Sequence, residues 1–188
     1  MTERDAARGR LRRSTSDELS EADVRELRAL FDVAFGPDED DRFTDDDWQH
    51  ALGGVHVLLE IDGQIVAHAA VVEREIHIGD RRLRTGYVEA VATAPRVQGT
   101  GHGTSVMDEV DRVIRERFEL GALGTGTHHF YERLGWSRWP GPTYVRSAGG
   151  LRATPHEDGS IMVLSTPSTP PLDLTAPISA DERSGDAW

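Results

Sequence analysis

The spacing of apolar residues changes along the chain, and each change marks an element. From Ser20 a three-to-four-residue period runs through Val24, Leu27, Leu30, Phe31 and Phe35. That period predicts a helix with one buried face, ended by Gly36-Pro37. Thr44 is placed to cap a short helix through Asp45, Asp46, Asp47 and Trp48, its acids at the positive end of the helix dipole, and Gly53-Gly54 closes it. At Val55 the period becomes two: Val55, Val57, Leu59 and Ile61 share a strand face, and Asp62-Gly63 makes a tight hairpin. Residues 65–78 read as a long second strand turned back at Gly79-Asp80, and a third passes through Leu83, Tyr87, Val88, Val91 and Ala92 to Pro95. After Gly103 the helical period returns, with Val106, Met107, Val110, Val113, Ile114 and Phe118 on one stripe. Asp108, Glu109, Asp111, Arg112 and Arg115 lie opposite. A small-residue strand at 121–123, a brief helix at 130–134 and strands near 143–145 and 161–164 complete an α+β pattern.

The two ends lack this periodicity. Residues 1–18 alternate Arg with Asp, Glu and Ser, which predicts a mobile or weakly docked arm ahead of one domain over 19–188. The tail from Ser165 is rich in Pro, Thr and Ser, yet it carries Trp188. A bulky indole favours a tail that wraps back onto the core; the alternative is a disordered tail with an incidental Trp.

Charge and missing residue types narrow the chemistry. Lys plus Arg number 21 against 33 Asp plus Glu, a net −12, which disfavours nucleic-acid phosphate and anionic membranes and favours cationic partners. All the basic residues are Arg and there is no Cys, so a thiol nucleophile, Cys-bound zinc, a Schiff-base lysine and the Walker lysine are excluded. The eight His show no metal-ligand spacing, so no metal is expected. No Gly-x-Ser-x-Gly elbow marks a serine hydrolase. With no apolar run of ~20 residues and no secretory core, the expected compartment is the cytoplasm.

Gln98-Gly99-Thr100-Gly101-His102-Gly103 sits between a strand and a long helix. Glycines there turn successive N–H groups inward and the helix start adds its positive end, an arrangement suited to a pyrophosphate; the alternative is a plain glycine-rich turn. Three antiparallel strands precede the loop, which is not the Rossmann order. The pattern Gln-x-x-Gly-x-Gly after a strand ending in Ala-Pro, followed by Phe130-Tyr131-Glu132-Arg133-Leu134-Gly135-Trp136, resembles the GCN5-related N-acetyltransferase (GNAT) superfamily. Within it, several segments resemble the aminoglycoside 2′-N-acetyltransferases: Asp47-Trp48, Gly53-Gly54-Val55-His56, residues 65–71, residues 86–92 and Gly185-Asp186-Ala187-Trp188.

The resemblance implies the GNAT fold, a mixed and mostly antiparallel central sheet flanked by helices, and acetyl-coenzyme A as co-substrate. It implies a pyrophosphate on Gln98, Gly99, Thr100, Gly101, His102 and Gly103, and a pantetheine arm along the main chain of Val91, Ala92 and Thr93. Glu89, mid-strand, reads from the pattern either as an outward surface carboxylate or as a base or ammonium clamp; the family implies the second, with the Ala90 backbone also touching substrate. Tyr131 reads either as core or, by resemblance, as the acid that protonates the leaving thiolate. The acids Asp41, Asp47, Glu157, Asp158 and Asp186 read either as solvated charge or, by resemblance, as the lining of a polycation site, Asp186 together with the carboxylate of Trp188. The implied reaction is acetyl transfer to the 2′-amine of an aminoglycoside. A GNAT enzyme for a polyamine, amino sugar or protein N-terminus, and a non-catalytic coenzyme A or drug binder, remain open, as does pairing with a second copy of the chain.

Overall fold

The computed structural model describes residues 9–36 and 42–188. The chain gathers into two compact units, one made of the described residues up to Val72 with Glu89–Val110, the other of Glu73–Val88 with Asp111–Trp188. Three elements run from one unit into the other: strands β3 (Gln64–Ile78) and β4 (Arg81–Thr93), and the long helix α3 (His102–Arg117).

The first unit begins with a correction. The expected arm is a strand from Arg10 onward: β1 (Arg10–Thr15) pairs antiparallel with β2 (Val55–Ile61), and Ser16–Glu18 follow as a turn of 3₁₀ helix. Its lack of apolar periodicity misleads because arginines, not aliphatic side chains, dock it. Arg12 binds both Asp23 and Glu60, the latter at 2.5 Å, and Arg13 reaches Glu109 at 2.5 Å. The first eight residues of that expected arm lie outside the described residues.

Helix α1 (Glu21–Ala34) starts on a capping box between Ser20 and Asp23 and buries Leu27, Leu30 and Phe31. The ring of Phe31 lies 4.2 Å from that of Phe43 and 6.2 Å from that of Trp48 on α2 (Asp45–Ala51). β2 is buried from Val55 to Leu59 without alternation, so both of its faces are covered. Gly54 is needed for close approach: a Cβ there would fall 2.1 Å from the Val71 carbonyl oxygen.

This covered strand holds two histidines. His56 and His68 are fully buried, and every ring nitrogen has a partner. His68 Nδ1 lies 2.8 Å from the Ala90 carbonyl, His68 Nε2 2.9 Å from His56 Nδ1, and His56 Nε2 2.9 Å from Ser16 Oγ. Ser16 Oγ in turn accepts from the Gly53 N–H at 2.8 Å.

In the second unit, strand order runs β6-β9-β5-β4-β3-β10-β7-β8. The strands are β5 (Leu120–Gly124), β6 (Ser137–Arg138), β7 (Thr143–Ser147), β8 (Gly150–Ala153), β9 (Ile161–Ser165) and β10 (Ile178–Asp181). β10 comes from the polar tail and lies between β3, antiparallel, and β7, parallel. β4 pairs parallel with β5 through Thr85–Leu120, Gly86–Gly121 and Tyr87–Ala122, and the pairing stops there although β4 continues to Thr93. The remaining helices are α3 (His102–Arg117) and α4 (His128–Glu132). Asp111, assigned by periodicity to the exposed face of α3, is buried instead: its carboxylate accepts from Trp136 Nε1 at 3.1 Å, with Arg115 at 3.5 Å. Among the described residues no helix is long and apolar enough to cross a membrane.

Burial holds His56 down to about 4 and His68 down to about 3, the latter helped by the neighbouring His56. Both lie below the ordinary value of ~6.5, so below that pH the unfolded chain takes up protons that the folded chain refuses. Stability is therefore whole above pH 6.5 and falls as the pH drops towards 4, by roughly 1.4 kcal/mol per pH unit for each imidazole. Urea unfolding at pH 7 and pH 5 measures this, and His56→Gln is expected to reduce the difference by about half. A wild-type stability equal at the two pH values contradicts two buried neutral imidazoles.

Candidate functional site

In the first unit the chemistry-bearing stretch is the end of β4. Glu89, Ala90, Val91 and Thr93 are half-buried and Ala92 is buried. Ala90 adopts φ +52, a left-handed backbone that side-chain-bearing residues rarely take inside a strand. Both flanks of the following stretch are tied to β3: the Ala90 carbonyl accepts from His68, and the Ala94 N–H donates to the Val66 carbonyl at 2.8 Å.

Pro95–Val97 then make a 3₁₀ turn, and Gln98 Nε2 donates back to the Thr93 carbonyl at 3.1 Å. Gly99 (φ +75) and Gly101 (φ +89) are both left-handed, and a Cβ built on either meets nothing within 4 Å. Thr100 Oγ1 donates to the Val97 carbonyl, and Ser105 N to the Gly101 carbonyl at 3.0 Å as α3 begins. The first turn of α3 carries no acid. The loop is thus an exposed main chain at a helix N-terminus, held by its own side chains and without a Cβ at Gly99 and Gly101, which is the electrostatics an anion requires.

Asp47 caps α2: its Oδ2 accepts from both Thr44 N and Thr44 Oγ1 at 2.7 Å. Asp41 lies outside the described residues.

In the second unit Tyr131 is 7% exposed, edge-on to Phe130 and Trp136. Burial pushes its phenol up to about 12, so it keeps its proton at neutral pH. A cavity of about 210 Å³ brings together Glu157, Asp186 and Trp188 with three residues absent from the sequence reading, Arg152, Glu182 and Arg183. Burial and the neighbouring charge of Asp186 raise the Glu157 carboxyl, with His156 opposing.

The Trp188 indole is buried and donates Nε1 to Thr154 Oγ1 at 3.2 Å, while the Trp188 backbone N–H donates to Asp186 Oδ1 at 3.1 Å. Arg183 Nε donates to the Asp186 carbonyl at 2.7 Å, and Arg74 to the Ala187 carbonyl at 2.9 Å. Asp158, expected beside Glu157 as a ligand, does not line this cavity. Its Oδ1 accepts from the Thr143 N–H and hydroxyl, both at 2.8 Å, and so fastens β7.

The sequence reading did not single out Ser16, His56 and His68, because the period-two pattern of β2 sets His56 opposite the face of Val55, Val57 and Leu59. Among the described residues no group of three or more His, Cys, Asp or Glu is arranged to hold a metal ion.

Residues 15–139 match the family model of the GNAT acetyltransferase domain. The chain is 44% identical over 150 residues to an aminoglycoside 2′-N-acetyltransferase of Mycolicibacterium fortuitum, covering 78% of this chain and 77% of that protein. Among solved structures, it is similar to a GNAT family N-acetyltransferase (YhbS) from Escherichia coli in complex with CoA (TM-score 0.63, 15% identity, 95% and 94% of the two chains). It is also similar to a GCN5-related N-acetyltransferase from Kribbella flavida (TM-score 0.58, 22% identity, 73% of this chain). There this chain spans only 35% of the other's length.

The coupling of the two cavity acids is directly measurable. Asp186→Asn removes the like charge and is expected to move the Glu157 carboxyl titration, followed by carbon-detected NMR, to lower pH. An unmoved titration shows that Asp186 does not act on Glu157.

Proposed function

Because this chain belongs to the GNAT acetyltransferase family, we propose that it moves the acetyl group of acetyl-coenzyme A to the 2′-amine of an aminoglycoside. The observation that carries the substrate is the likeness to the Mycolicibacterium fortuitum enzyme, which extends over most of both chains. The co-substrate fits the residues of the 98–103 loop. A pyrophosphate needs converging N–H donors with no side chain in the way, and Gly99, Gly101 and the acid-free start of α3 offer that.

Acetyl-coenzyme A supplies an acyl thioester; the chain's residues bind it, orient it and manage two protons. The loop from Gln98 to Gly103 holds the pyrophosphate. The main chain of Val91, Ala92 and Thr93 lies past the last β4–β5 pair, so it can bond an extended pantetheine arm as a neighbouring strand would. An ammonium is not a nucleophile until it loses a proton, and Glu89 takes that proton directly or through water. Tyr131 returns one to the departing thiolate, a role open to a phenol that is still protonated at working pH. The nitrogen gives up two protons, one from the ammonium before attack and one from the tetrahedral adduct; one ends on the thiol of coenzyme A and the other leaves to solvent.

Glu157, Glu182 and Asp186 supply negative charge to a cavity that a polycationic sugar would enter, and the net charge of −12 draws such a ligand at longer range. Arg183 binds the main-chain carbonyl of Asp186 and an oxygen of the Trp188 carboxylate, so it shapes the cavity wall as well as offsetting charge.

Release of coenzyme A, followed with a thiol reagent, is expected with aminoglycosides that carry a 2′-amine and not with those that lack it. Equal rates with both would move the acetylation site; no release with any would overturn the reading. Gly101→Asp places a carboxylate where the pyrophosphate would lie and is expected to abolish coenzyme A binding by calorimetry while the protein stays folded. Tyr131→Phe is expected to lower kcat roughly 100-fold with both KM values nearly unchanged, because the proton is given only in the transition state. Wild-type turnover in Tyr131→Phe removes the phenol from the mechanism.

A further inference from the structure

The end of β4 is bent by a residue that resists bending. Ala90 sits at φ +52, and a non-glycine residue there costs on the order of 1–3 kcal/mol unless its surroundings hold it. Its carbonyl oxygen meets a buried N–H donor, His68 Nδ1, at 2.8 Å. That contact fixes the direction of the whole chain behind it. A carbonyl only accepts, so His68 Nδ1 carries the proton and Nε2 of the neutral ring accepts. His56 Nδ1 must then donate, leaving His56 Nε2 to accept from the Ser16 hydroxyl, whose oxygen accepts the Gly53 N–H.

Four hydrogen bonds run head to tail from a surface turn to Ala90 without one opposed pair. They cannot carry a proton onward, because the terminal acceptor is an amide carbonyl. They can hold geometry. Both rings are walled in, His68 by Phe31 at 5.3 Å and His56 by Trp48 at 6.1 Å, so neither can turn away without opening the core.

We propose that Ser16, His56 and His68 form a one-way hydrogen-bond chain whose task is to hold the left-handed backbone of Ala90, and that His68 is thereby a positioning residue for acetyl transfer. The inference rests on the acetyltransferase reading above and adds residues that do not touch substrate. Ala90 adjoins Glu89 on one side and Val91 on the other. If residue 90 relaxes to ordinary extended backbone, the Glu89 side chain and the 91–93 main chain change direction together. β3 holds the far side of the same stretch through Val66 and Ala94, and the His68 bond is the side-chain bond on residue 90 itself.

Two measurements test this. In wild-type protein at pH 7, long-range ¹⁵N–¹H correlation is expected to show both rings as Nδ1–H tautomers; an Nε2–H tautomer at either ring overturns the chain whether or not the enzyme acetylates anything. In kinetics, His68→Leu keeps volume but removes the donor, and is expected to lower kcat/KM for the amine at least tenfold. Coenzyme A affinity on the glycine loop should stay within about threefold. His68→Asn keeps a donor near the Nδ1 position and is expected to recover most of the loss, which a general packing defect would not.

Wild-type kcat/KM in folded His68→Leu, or equal losses in the Leu and Asn variants, overturns the positioning role. Should His68→Leu not fold, Ser16→Ala breaks the chain at its accessible end and is expected to show the same pattern, smaller; no change in kcat/KM there overturns the proposal. Absence of acetyl transfer by the wild type would instead be a failure of the functional reading, with the tautomer result standing on its own.

Discussion

Two uncharged imidazoles sealed inside a sheet must have all four nitrogens satisfied, and that requirement organises the first unit. An unmet buried donor or acceptor costs on the order of 1–3 kcal/mol, so a strand carrying His56 and His68 is tolerated only where partners are built for each. The partners here are a serine on the 3₁₀ turn after β1, the other imidazole, and a carbonyl that a regular strand would aim elsewhere. The docked first strand, the left-handed residue in β4 and the covering aromatic rings are therefore parts of one arrangement. Removing any of them leaves a polar group stranded.

The absence of lysine is visible in how the ends of elements are tied. A guanidinium can serve several acceptors at fixed angles while stacking on a ring, which an ammonium cannot. Arg12 joins β1 to Asp23 and Glu60 in this way. Arg74 and Arg183 donate to the carbonyls of residues 181, 186 and 187 and to the Trp188 carboxylate, and both lie over the Tyr87 ring, at 4.6 and 5.8 Å. Beyond the main-chain pairing of β10, these forks tie down the 181–188 segment.

What could be read in the sequence followed from periodicity and from glycine. α1, α3, β2, β3 and β4 declare themselves because one period persists long enough to be counted, and the 98–103 loop because glycines cluster where a strand meets a helix. β1 and β10 do not, since arginines and main-chain pairing, rather than apolar alternation, dock them. The acids show the same limit: a carboxylate bound for a helix cap (Asp47), a threonine (Asp158) or an indole (Asp111) looks identical in sequence to one bound for a ligand.

The histidine pair was illegible for a geometric reason. A plain Asp62-Gly63 hairpin would set His68 opposite Val57 and so put the two rings on opposite faces. A bulge between Leu59 and Glu60 shifts the register to Leu58–His68 and His56–Ala70, which brings both rings to one face.

The position of β10 has a bearing on how the chain is made. Strand 178–181 is not an edge: it separates β3 from β7, and the β7–β8 hairpin joins the sheet through it. On a ribosome, β7 and β8 emerge with an unsatisfied flank and must wait for some thirty further residues before their neighbour exists. The interval is one in which an exposed strand edge can pair with the wrong chain. Slow translation between β8 and β10, or a chaperone that shields the edge of β7, would therefore govern the yield of folded protein more than any change to the stability of the finished sheet.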